Sequence, residues 1–182
     1  MKKEEEIIIE ARNRLVQVVW THKINEKQTD IYKSYGKWLN IIIIVLDAIT
    51  AGGIIGVLNN DCFAVKMVVA IVSTFTLALN SLKAAFKLDE LSNNYKKYAN
   101  KFLNIRNKLQ WLIVVYSSNN IKRLEFIKRF EDVEKELSQL YSDAPSTTDK
   151  AVKKAKEALL ENGDNYVTKE ELEKLVPSCI KK

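Results

Sequence analysis

The strongest constraint on this chain is a pair of apolar runs set back to back near its middle. Trp38 to Leu58 is about 21 residues long and Phe63 to Leu82 about 20. Each is enough to carry a helix across the ~30 Å hydrocarbon core of a bilayer. Only Asn59-Asn60-Asp61-Cys62 separates them, room for a tight turn. The pattern predicts a transmembrane hairpin over 38–58 and 63–82. A buried soluble helix is the alternative, but the run Ile41 to Ile44 sits in a segment apolar on nearly every face. Roughly a dozen Ile, Leu and Val there contribute about −0.3 to −0.6 kcal/mol each on insertion, against about +3 kcal/mol for Asp47 at the centre. The sum favours lipid.

Charge placement gives the orientation. The chain carries 29 Lys and Arg against 23 Asp and Glu, a formal net charge of +6. Lys33 and Lys37 precede the first span, Lys83 and Lys87 follow the second, and the turn holds only Asp61. By the positive-inside rule both termini are expected in the cytoplasm, with the turn outside. Lys66, about one turn inside the second span, is expected to snorkel outward. The excess charge thus reads as topology, and nucleic acid is not an expected partner. The start Met1-Lys-Lys-Glu-Glu-Glu lacks the apolar core and cleavage site of a secretory signal. Cys62 and Cys179 fall on opposite sides of the membrane, so a disulfide could form only between Cys62 residues of two subunits. No metal-ligand spacing exists.

Outside the hairpin the pattern is helical throughout. Proline is absent before Pro145, so nothing forbids long helices. Residues 1–37 are expected to hold an amphipathic cytoplasmic helix, with Ile8, Ala11, Leu15, Val18 and His22 on one face, and Ser34-Tyr35-Gly36 as the bend before the span. Residues 83–142 read as a coiled-coil helical pair. Leu88, Leu91, Tyr95, Tyr98, Phe102, Ile105, Leu109, Leu112 and Tyr116 alternate steps of three and four, the seam of a helix expected to join subunits. Nothing compels a break from Phe63 to Tyr116, a rod of ~80 Å. After a turn at Ser117-Ser-Asn-Asn120, Phe126, Phe130, Val133, Leu137 and Leu140 mark a returning helix. Residues 143–182 are expected to form short helices: a lysine-rich one from Lys150 to Leu160, and a last one opened by the capping box Thr168-Lys-Glu-Glu171 and ended by Pro177. The fold class is all-α: a two-helix transmembrane hairpin with long amphipathic cytoplasmic helices.

Residues able to carry chemistry lie mainly in the spans. Asn40, Asp47 and Thr50 share one stripe of the first; Ser73, Thr76 and Asn80 extend a stripe of the second that includes Lys66. Reflection through the turn puts Asp47 level with Ser73 and Thr74. Ala48, Gly52 and Gly56 form a small-residue series suited to helix packing. A lone hairpin cannot enclose water, but several around an axis could point these stripes inward and make a ring of carboxylates. The alternative leaves Asp47 neutral, hydrogen-bonded to Ser73 or Thr74 as packing. His22 reads as structural. Leu160 to Leu172 mimics a calcium loop but puts Leu160 where the first carboxylate belongs. The lysine-rich helix, with Lys150, Lys153, Lys154 and Lys156, reads as a solvated face. No catalytic or nucleotide motif is present.

Glu10-Ala-Arg-Asn-Arg14 in the leading helix, the hairpin, the heptad helix and the loop Asp143-Ala-Pro-Ser-Thr147 before a basic helix appear in an order that resembles the SLATT proteins. Those are two-span effectors associated with SMODS nucleotidyltransferases and SLOG sensors in bacterial conflict systems. The resemblance implies a homo-oligomer that opens a pore in the cytoplasmic membrane and arrests or kills the cell when a nucleotide-derived signal, sourced from a separate partner, arrives. It implies no enzyme activity and no cofactor. The alternative function is a non-conducting membrane-anchored scaffold that recruits a soluble partner through its helices.

Overall fold

The computed structural model describes residues 2–59 and 63–164. Among them the chain forms α1 (Lys2–Asn59), α2 (Phe63–Phe86), α3 (Leu88–Ser117), α4 (Arg123–Asp143) and α5 (Asp149–Lys156), followed by a π-helical turn (Glu157–Glu161), with no strand. The all-α hairpin architecture is as expected. The turn residues Asn60 to Cys62, and with them the expected final helix at Thr168–Glu171, Pro177 and Cys179, lie outside the described residues.

α1 is one helix of 58 residues, a rod of ~87 Å. The bend expected at Ser34-Tyr35-Gly36 is absent. Gly36 is buried, and a Cβ there would lie 3.3 Å from Asp89 Oδ1 and 3.7 Å from Leu88 Cβ. The glycine serves close approach of α3 rather than a kink. Its helix penalty of about 1 kcal/mol is offset by that packing. N-terminal helix and first span are therefore mechanically continuous.

The second rod breaks where the sequence compels nothing. Lys87 adopts φ 45° and ψ 47°, the left-handed region, between α2 and α3, at a cost of about 1–2 kcal/mol for a residue with a side chain. The reason is tertiary: the break aims the apolar stripe of α3 along the lower half of α1. His22 then faces Ala99, Thr29 faces Ser92, and Gly36 meets the start of α3, an antiparallel register.

α4 folds back to complete a three-helix bundle. Its core joins Ala11 and Val18 of α1 to Phe102, Ile105, Leu109 and Leu112 of α3 and to Phe126, Phe130, Val133, Leu137 and Leu140 of α4. The stripe expected to join subunits lines this core within one chain: Tyr95, Phe102, Ile105, Leu109 and Leu112 are buried, and Leu88, Leu91 and Tyr98 half-buried. A heptad seam specifies an antiparallel partner helix equally well whether that partner comes from another chain or from the same one.

α5 packs back onto α1. The Thr148 hydroxyl caps it by accepting from Ala151 N–H, and donates to Gln28 Oε1 at 2.8 Å. Gly163, at φ 67°, then stops the helix, with Asp164 N–H donating to Ala158 C=O. The short helix thus begins at Asp149, one residue before its expected start, and passes into the π turn at Glu157.

Candidate functional site

The hairpin's exterior is largely apolar. Ile41, Ile44, Ile55, Phe63, Ile71, Phe75 and Leu77 are all exposed. Both rods contain stretches long and apolar enough to cross a membrane, yet only 6% of each stretch is buried within the chain. A core helix of a soluble protein would be mostly covered. An apolar surface this extensive is stable only against lipid or other copies of itself.

The seam between the spans runs through Asn40, Ile43, Thr50 and Gly53 of α1. Ile43 is 6% exposed and Thr76 of α2 5% exposed. A cavity of about 300 Å³ in the half nearer the link between the spans is lined by Thr50 and Gly53 on one side and Val65, Val68, Val69 and Val72 on the other. The hydroxyls of Ser73 and Thr76 donate to the carbonyls of Val69 and Val72, one turn back in their own helix. Among the described residues, the buried Thr50 Oγ1 and Asn40 Oδ1 have no hydrogen-bond partner, a costly state away from water.

The polar stripe is thus divided. Asn40, Thr50 and Ser73 are half-buried and Thr76 is buried, whereas Asp47 and Asn80 are exposed. With Gly53 against Val69, counting back along both helices sets Asp47 level with Phe75, a residue or two from the level expected. Among the described residues Asp47 has no hydrogen bond or ion pair. Ala48 and Gly52 are exposed, and a Cβ on Gly52 or Gly56 would meet nothing within 4 Å. Gly53, which sequence reasoning passed over, makes the tight contact. Its signal was its step of three from Thr50, on the same 3–4 spacing as Asn40 and Ile43.

Below the spans a polar waist holds α5. Gln28 is fully buried and accepts from both the N–H and the hydroxyl of Thr148. Tyr95 donates to Ser146 C=O, and Lys150 Nζ donates to the Tyr35 hydroxyl at 2.8 Å. His22 is buried, and its Nδ1–H donates to Ala99 C=O at 2.9 Å. Burial holds its pKa below 6.5, against the opposing pull of that carbonyl and of Glu26. Desolvation pushes the Lys23 ammonium down, but hydrogen bonds to Asp164 and Glu26 outweigh it and leave its pKa raised. This waist was only partly legible: His22 read as structural, and so it sits.

The family profile described as SMODS and SLOG-associating 2TM effector domain family 4 matches residues 5–171. The chain belongs to that SLATT family. The match takes in both apolar helices, the bundle and the α5 clasp. This SLATT chain is therefore a membrane protein, an effector of conflict systems. No curated protein and no solved structure matches it.

Proposed function

We propose that copies of this SLATT chain assemble in the cytoplasmic membrane into an ion-conducting pore that arrests or kills the host cell. The observation that carries this reading is Asp47: mid-span, exposed, and without a partner among the described residues. A carboxylate at that depth is expensive in lipid, and its own hairpin offers nothing to offset the cost. A ring of such residues around water removes most of it. Asp47 leads the lining and Asn80 is exposed with it, while Asn40, Thr50, Ser73 and Thr76 would reach the lumen only where the spans part. Ala48, Gly52 and Gly56, open on the outer face of α1, are the surface where neighbouring hairpins approach.

Both termini are cytoplasmic in this reading, and the trigger is a nucleotide-derived signal made by a separately encoded partner. The protein acts without catalysis.

The test is ion and dye leakage from liposomes bearing the purified chain, run beside growth arrest on expression. Asp47→Asn and Asp47→Leu should each lower leakage at least tenfold and abolish toxicity. Unchanged leakage in both would end the carboxylate-ring reading. A membrane-impermeant maleimide should label Cys62 in intact spheroplasts; protection there would reverse the topology.

A further inference from the structure

At the foot of the hairpin, where α2 ends and α3 begins, lies a cavity of about 480 Å³. Its lining includes Asn40 and Asn80 on the membrane side, Lys83 and Lys87 below them, and Asp89 and Glu90 in the first turn of α3. Two features hold it open. Gly36 keeps the wall of α1 bare, and the left-handed turn at Lys87 swings α3 out of line with α2.

The charges in this cavity are ordered. Lys87 Nζ donates to both carboxylate oxygens of Glu90, at 3.0 and 3.1 Å, so these two neutralise each other. Lys83 and Asp89 remain, and among the described residues neither has an ion-pair partner. Lys83 directly follows the second span. Asp89 lies beyond the break at Lys87, with its Oδ1 beside Gly36, about one turn of α1 further from the membrane than Asn40. A ligand that satisfies both must carry its negative charge at the hydrocarbon boundary and its positive charge beyond it.

We infer that this cavity binds the headgroup of a phosphoethanolamine lipid. Its phosphodiester, next to the glycerol, meets Lys83, the side-chain amide of Asn40 and the one amide hydrogen of Asn80 not given to Thr76 C=O. Its primary ammonium, at the tip, meets Asp89. A glycerol headgroup has no cation for Asp89, and a quaternary choline cannot donate a hydrogen bond to it. The inference rests on the hairpin crossing the bilayer and is independent of conduction.

The test is native mass spectrometry of the full delipidated chain in detergent, titrated with phosphatidylethanolamine, phosphatidylglycerol and phosphatidylcholine of identical acyl chains. Phosphatidylethanolamine should bind about fivefold more tightly than either competitor, the scale of one charge contact at a membrane surface. Lys83→Ala should weaken both phosphatidylethanolamine and phosphatidylglycerol about fivefold. Asp89→Asn should bring phosphatidylethanolamine to the level of phosphatidylglycerol and leave the latter unchanged. Thermal melting of each variant verifies folding, and Asp47→Asn should leave lipid selectivity intact even where it abolishes leakage. Equal binding of the three lipids, or a preference over phosphatidylglycerol that survives Asp89→Asn, would overturn the assignment. So would equal competition by free phosphoethanolamine, which would make the ligand soluble rather than lipid.

Discussion

Gly53 of α1 approaches Val69 of α2 so closely that a Cβ on the glycine would lie 2.5 Å from Val69 Cγ2. Valine has little rotamer freedom in a helix, so the clash cannot be relieved by rotation alone. Gly53→Ala should force the spans apart at a cost of about 1–3 kcal/mol, read as a lower melting temperature of the detergent-solubilised chain. Val69→Ala should restore most of it, a coupling that a double-mutant cycle measures. Gly52→Ala, facing open space, should leave the hairpin's melting unchanged; any effect it has on crosslinked oligomers then reports contact between chains.

The stripe on α3 makes a sharper distinction. Phe102 and Leu109 are fully buried between α1 and α4. Phe102→Ala should destabilise the chain by about 3–5 kcal/mol and Leu109→Ala by about 2–5 kcal/mol, with loss of near-ultraviolet dichroism. Trp111→Ala, on the exposed face of the same helix, should cost less than about 0.5 kcal/mol. Dissociation into folded monomers by Phe102→Ala would return the stripe to the subunit interface.

The Thr148 hydroxyl both caps α5 and bonds Gln28. Thr148→Ala should cost about 1 kcal/mol, confined to the clasp. Hydrogen exchange should accelerate in residues 149–161 while amides of α3 stay protected. Uniform acceleration would mean that the clasp and the bundle open as one unit.

His22 sets a pH dependence. Its folded pKa lies below the ordinary 6.5 because burial disfavours the cation. Between those two values the unfolded chain binds more protons, so stability falls as pH drops below 6.5 and levels off beneath the folded pKa. Melting temperature should decline from about pH 7 toward about pH 5, and His22→Gln should flatten the decline. Asp164, held below 3.8 by its hydrogen bond from Lys23, contributes stability that is lost only at still lower pH. The two transitions are therefore separable.

Much of this architecture was written locally. The hairpin followed from the length of two apolar runs, and the α4 return from a 3–4 repeat. Spacing shows which polar residues share a stripe of each span, but not which members face the partner span. That depends on how two helices cross, and a helical wheel of one rod carries no such information. Gly53, Gln28 and Lys87 were missed for the same reason: each matters through a residue or an element brought to it from elsewhere in the chain.

By itself the sequence determined what must leave water and where helices can start, because hydrophobic periodicity and capping act over a few residues. Only the tertiary structure decided what covers what. It put the heptad stripe of α3 against α1 and α4 of the same chain, ran α1 unbroken through Gly36, and spent strain at Lys87 to aim α3. Those outcomes are set by packing between distant segments, where burying a shared face outweighs the local preference of any one residue.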